Sequence, residues 1–214
     1  MLKLIVFDCD GVMFDSKEAN RVYYNDLLAA FDYPAMSDEE LSFVHMHNVT
    51  DSISYIFRHY PDQDMSRVHQ HRQQTDYSDY LRYMKMEPDL VEFLIYAKKR
   101  FRLAISTNRT TTMHPLLQEY RLADYFELVV TAADVENPKP APDALHKILN
   151  YFKCTATETI FIGDSLVDQL HTQSVGIPLI AFKNNGLDAS YHVSSFMEIC
   201  TLPPVTDGSI IVGR

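Results

Sequence analysis

Five short runs of consecutive apolar, mostly branched residues punctuate the chain, at residues 2–7, 102–106, 128–131, 159–163 and 178–182. Runs of this length without polar alternation predict strands buried on both faces. Between them, apolar positions recur at helical spacing. Leu90, Phe93, Leu94 and Ala97 share one face, as do Leu116, Leu117 and Tyr120, and again Leu145, Ile148 and Leu149. Strands alternating with helices predict right-handed βαβ units and a parallel sheet.

The stretch from residue 16 to 86 breaks that rhythm, because it holds helical patterns and no strand-like run. Tyr23, Leu27 and Ala30 share a face, and Ile53, Ile56 and Phe57 form a second group. Ser37-Asp38-Glu39-Glu40 has the composition of a helix start, and Thr50 or Asp51 is placed to cap the helix after it. The pattern predicts an all-helical insertion of four or five helices after the first strand, with Pro88 marking the return to the α/β part. The expected division is a core of residues 1–15 and 87–200, an inserted unit of 16–86, and a C-terminal tail of 201–214.

Composition narrows the class. With 214 residues, 46% of them hydrophobic and only 6 glycines, the chain is neither collagen-like nor disordered. Its 19 basic and 29 acidic residues give a net charge of −10, which argues against nucleic acid as a partner. Three scattered cysteines, Cys9, Cys154 and Cys200, do not suggest a disulfide framework. The first apolar run ends at Asp8, too soon for a signal peptide, and no stretch approaches the roughly 20 apolar residues of a membrane helix. A soluble, cytoplasmic protein with no membrane partner is expected.

The candidate chemistry collects at the ends of the predicted strands. The first ends in Asp8-x-Asp10-Gly11. Two carboxylates on extended backbone point the same way and repel unless a cation lies between them, and hard oxygen ligands favour Mg2+. An ordinary strand-ending turn explains the same residues equally well. The second strand ends in Ser106-Thr107-Asn108, suited to phosphate oxygens or to a plain helix cap. After the third, Asn137-Pro138-Lys139-Pro140-Ala141-Pro142 presents Lys139 on a stiff loop. The fourth ends in Gly163-Asp164-Ser165-Leu166-Val167-Asp168, where Asp164 is placed to complete a cation site and Ser165-x-x-Asp168 matches a capping box. Such edges bind ligands in open α/β sheets.

Taken together and in this order, LIVFDCDGVMFDS, LAISTN, NPKPAP and FIGDSLVD resemble the four motifs of the haloacid dehalogenase superfamily. The helical insertion resembles the cap of its phosphoglycolate phosphatase and β-phosphoglucomutase branch. The resemblance implies a Rossmann-like three-layer α/β core with a helical cap. It implies a phosphatase using Mg2+ on a small phosphorylated metabolite, phosphoglycolate or a sugar phosphate, by way of an aspartyl-phosphate. By the same resemblance Asp8 is the nucleophile and Asp10 the general acid and base. Asp8, the Asp10 carbonyl and Asp164 hold the metal, and Asp168 orients Lys139 or reaches the metal through water. Thr107, Asn108 and Lys139 bind the phosphoryl group, assisted by the amides of residues 9–11, Gly11 among them.

Asp10 argues against the dehalogenase and phosphonate-cleaving branches, where that position is not a carboxylate. A phosphomutase keeps all four motifs and stays open as an alternative, as does, less well supported, a binding protein without turnover. Within the insertion, His45-Met46-His47-Asn48 is the candidate substrate-facing segment, with His47 the residue chosen. His45 and His47 are two apart and would diverge on a helix, as would His69 and His71, so neither pair suits a shared metal. Arg58, Arg67, Arg72 and Arg82 are the cationic candidates there. The expected assembly is a monomer or homodimer.

Overall fold

The computed structural model describes residues 1–46 and 49–206 of the 214. The described residues divide into two compact units, residues 1–14 with 86–206, and residues 15–46 with 49–85. His47, and the tail beyond Thr206, lie outside the described residues.

The first unit is built on a six-stranded sheet. Its strands are β1 (Leu4–Phe7), β4 (Arg102–Ser106), β5 (Leu128–Val130), β6 (Thr159–Gly163), β7 (Leu179–Phe182) and β8 (Tyr191–Val193), in the order β5-β4-β1-β6-β7-β8 and parallel throughout. The five expected strands are all present within two residues of their predicted ends. The three-residue β8 was not expected. Two further strands of two residues each, β2 (Phe14–Asp15) and β3 (Lys85–Met86), pair where the chain leaves the first unit and returns to it.

Every residue of β1 is buried, as expected of a strand covered on both faces. Leu4 and Val6 pack on one face with Ala144, Leu145 and Ile148 of helix α7 (Asp143–Phe152). On the other face Phe7 meets Phe93 of α5 (Leu90–Lys98) at 6.0 Å and Phe196 of α9 (Phe196–Ile199) at 6.1 Å between ring centroids. Helices α6 (Met113–Glu119), α8 (Leu166–Gln173) and the short α10 (Pro203–Thr206) complete this unit. The predicted α/β class is thus observed, a parallel sheet between two helical layers.

The second unit contains α1 (Lys17–Ala29), α2 (Asp38–Met46), α3 (Val49–Ile56), α4 (Met65–Gln74) and a 3₁₀ segment, Tyr77–Tyr83. Its own core joins Tyr23, Leu27 and Leu28 of α1 to Leu41, Ile53, Phe57, Val68 and Tyr80. Ser37 caps α2 as its composition suggested, since its hydroxyl accepts from the Glu40 amide at 3.2 Å while Glu40 accepts from the Ser37 amide at 2.9 Å. Asp64 caps α4 and Asp76 the 3₁₀ segment, accepting amide hydrogen bonds from Ser66 and Ser78 at 2.9 Å each. Thr50 and Asp51 do not precede α3 but lie inside its first turn, because the helix already begins at Val49.

Candidate active site

Each strand end that carries polar residues lies at the carboxyl edge of the sheet. Asp8 follows β1 directly, held by its amide donating to the Ile162 carbonyl on β6 at 2.9 Å. The Lys139 ammonium donates to Asp8 Oδ1 and to Asp168 Oδ1, at 2.7 Å each, and all three side chains are buried. Asp168 is the N3 residue of the capping box that opens α8. Its Oδ2 accepts from the Ser165 hydroxyl at 2.7 Å and from the Ser165 and Asp164 amides at 3.3 Å. Both Asp168 oxygens are therefore engaged, which makes it the anchor of Lys139.

Among the described residues, Asp8, Asp164 and Asp168 offer oxygens that all lie within 4.8 Å of one another. One ammonium faces these three carboxylates, so the cluster carries excess negative charge. Burial, with Asp168 next to it, pushes the Asp8 carboxyl well above its ordinary range despite Lys139. The same two causes raise Asp164 to about 7. Burial lowers the Lys139 ammonium, but Asp168 and Asp8 outweigh it and raise the pKa overall. A hard, divalent cation suits this donor set on charge and on ligand type.

Gly11 turns the loop after β1 with φ +77°, and it stands against Asp164. Its amide donates to the Phe14 carbonyl at 2.8 Å, so Gly11 provides space here, and its amide closes the loop rather than joining an anion cradle. Cys9 is buried, and its carbonyl accepts from the Met13 and Phe14 amides at 2.8 and 3.1 Å.

Thr107 is buried at the end of β4, with its amide donating to the Val130 carbonyl at 3.1 Å. The adjacent Ser106 hydroxyl turns inward to His171 Nε2 at 3.2 Å, while His171 Nδ1 contacts the Ala141 carbonyl at 2.7 Å. A carbonyl only accepts, so Nδ1 carries the proton and Nε2 receives one from Ser106. The Asn108 side chain donates to the Lys139 carbonyl at 3.1 Å, a second hold on the same loop. The Lys139–Pro140 peptide is cis.

The Asp10 carboxylate is not part of the cation cluster. It forms a two-point pair with Arg109, whose Nε and Nη2 donate to Oδ2 and Oδ1 at 2.7 Å each. Of the Asp10 groups, its carbonyl remains the one proposed for the metal.

Comparison with known proteins now decides the family, since the haloacid dehalogenase-like hydrolase profile matches residues 5–182. The chain belongs to the haloacid dehalogenase-like hydrolases. It is 25% identical to a phosphoglycolate phosphatase of Rhodobacter capsulatus over 97% of this chain and 98% of that one. A shorter match, 38% identical over 79 residues, joins it to the pyrophosphatase PpaX of Halalkalibacterium halodurans, covering 36% of each. A crystal structure of a subfamily IA hydrolase from Geobacter sulfurreducens superposes with a TM-score of 0.84 at 34% identity, covering 92% of this chain and 94% of that one. The expected superfamily and enzyme class stand: this is a haloacid dehalogenase-type phosphatase. No helix among the described residues is long and apolar enough to cross a membrane.

The structure brings Asp8, Lys139, Asp164 and Asp168 together, with Gly11 against Asp164, and sets Thr107 and Asn108 on the adjoining turn. His47 lies outside the described residues. Arg58, a cationic candidate in the inserted unit, is engaged within that unit, donating to Glu40 at 2.7 Å with its guanidinium 3.8 Å from the Tyr55 ring centre. Sequence reasoning missed Arg109, His171 and Asn184, whose side chain donates to the Asp164 carbonyl at 2.8 Å. A cation directly after Ser106-Thr107-Asn108 was the available signal for Arg109. For His171 the signal was its place one helical turn after Asp168.

Proposed function

We propose that this haloacid dehalogenase-like hydrolase cleaves a small phosphomonoester with Mg2+, through a phosphoenzyme on Asp8. The observation that carries the reading is the buried Asp8–Lys139–Asp168 chain, which fixes one carboxylate at the sheet edge beside an ammonium. Asp8, Asp164 and the Asp10 carbonyl would hold the Mg2+, which when bound neutralises phosphate oxygens and the surplus carboxylate charge.

The residues of this chain then divide the work. Lys139 and the Thr107 hydroxyl bind phosphoryl oxygens, and Lys139 fixes Asp8 by holding its Oδ1. Asp8 attacks phosphorus in line as the alcohol departs, and Asp10 gives that alcohol its proton. In the second half Asp10 takes a proton from water, whose oxygen attacks phosphorus and frees the Asp8 carboxylate. Inorganic phosphate leaves. Asp168 and Asn108 act at one remove, by fixing Lys139.

Phosphoglycolate, the substrate named for the Rhodobacter capsulatus relative, is the first ester to test, with sugar phosphates next. The experiment is phosphate release from a panel of phosphomonoesters with Mg2+ and with chelator. Metal-dependent release concentrated on one ester supports the reading and names the substrate. Folded, Mg2+-loaded protein that releases phosphate from none of them would overturn it.

A further inference from the structure

Arg109 joins two groups that the reaction uses. Its guanidinium holds Asp10 at two points, 2.7 Å each, and its own amide donates to the Thr107 hydroxyl at 3.1 Å. The arginine is itself anchored. Nη1 donates to the Thr112 hydroxyl at 3.1 Å, and its carbonyl accepts from the Ala132 amide at 3.0 Å. Its side chain is only 9% exposed, against 37% for Asp10. The better-fixed partner therefore positions the looser one. A planar guanidinium fork also fixes the plane of the carboxylate, which a single ammonium contact does not.

We infer that Arg109 is a positioning residue for Asp10 in the second half of the reaction, when Asp10 must receive a proton from water. The inference rests on the phosphoenzyme reading above. A two-point guanidinium pair presents Asp10 as an oriented acceptor, which suits the base step. In that step the water O–H bond breaks, its proton passes to Asp10, the new P–O bond forms, and the bond from phosphorus to Asp8 breaks. Without the clamp, a carboxylate more than a third exposed loses the two-point contact that sets its plane, and hydrolysis of the phosphoenzyme slows. Transfer from an ester with a good leaving group needs no proton from Asp10 and is unaffected.

The experiment uses p-nitrophenyl phosphate with the full chain and Mg2+, comparing wild type with Arg109→Gln, Arg109→Lys and Asp10→Asn. For Arg109→Gln, kcat is expected to fall about tenfold or more and KM to fall with it, leaving kcat/KM within about threefold. Nitrophenolate then appears in a burst of about one equivalent per site. Arg109→Lys is expected to recover part of the lost kcat, which also guards against a folding defect. Adding Arg109→Gln to Asp10→Asn is expected to slow kcat no further than about twofold. An unchanged kcat, a fall in kcat/KM as large as that in kcat, or full additivity with Asp10→Asn would each overturn the inference. If wild type itself neither turns over nor forms a phosphoenzyme, the function proposed above fails instead.

Discussion

Gly11 and Asp164 stand so close that a Cβ on the glycine would lie 2.0 Å from Asp164 Oδ2, although they end different strands. The φ of +77° at Gly11 adds a backbone that side chains resist. Gly11→Ala is therefore expected to displace a proposed metal ligand as well as to strain the turn. The strain alone costs on the order of 1–2 kcal/mol. The larger effect is expected on Mg2+ affinity, read as a weaker Mg2+ activation constant alongside a modest drop in the denaturation midpoint. An unchanged activation constant would mean that Asp164 tolerates the shift or does not hold the ion.

Asp8 and Lys139 are bonded to each other yet should respond in opposite ways. Asp8→Asn removes one of three crowded carboxylates in a nearly isosteric change, so the metal-free fold should be as stable or more so. Turnover should fall by roughly 10³-fold or more, because the amide is no nucleophile. Lys139→Met leaves Asp8 and Asp168 buried without their cation. Breaking a buried pair in this way costs about 3–5 kcal/mol. Denaturant melts of both variants in chelator test the contrast, and equal destabilisation would contradict it.

In chelator, Asp164 with a folded pKa of about 7 binds a proton that the unfolded chain releases near 3.8. The folded state then holds more protons between those values, so stability falls as pH rises through that range. Mg2+ needs the carboxylate ionised, so its affinity should rise with pH up to about 7 and level off above it. Thermal melts at pH 5, 6, 7 and 8, with and without Mg2+, should show a stabilising increment that grows with pH. A constant increment would place the titrating group elsewhere.

Much of the core was legible because strands buried on both faces leave unbroken apolar runs, and β1, β4 and β6 end abruptly where polar chemistry begins. Asp8, Asp164 and Lys139 could be read for the same reason, since each follows a strand or sits on a proline-stiffened loop. The strand β8 was not legible, because three residues with Tyr191 half-buried and His192 exposed carry no apolar run. The start of α3 was misjudged because Thr50 and Asp51 look like caps, while the helix begins one residue earlier. Arg109 escaped because the meaning of its charge lies in Asp10, 99 residues away. His171 escaped because its partners are Ser106, at the end of β4, and Ala141, on the loop that carries Lys139, which only folding brings to one side of α8.

His171 gives the last prediction. It is fully buried, with its ring between the Ser106 hydroxyl and the Ala141 carbonyl. Burial and the nearby Lys139 charge lower its pKa to about 4, from 6.5 in an unfolded chain. Between those values the unfolded state binds the extra proton, so stability is fully present above 6.5 and is lost as pH falls towards 4. The difference amounts to on the order of 3 kcal/mol. Saturating Mg2+ should hold Asp164 ionised and remove its opposing slope, so the histidine contribution is best read there. Denaturant midpoints from pH 7 to 4.5 should fall for wild type and fall less steeply for His171→Gln. Because His171 also braces the loop that carries Lys139, the variant should lose activity at neutral pH, where the imidazole is uncharged in any case. Equal slopes for the two proteins would show that His171 is not the group that titrates.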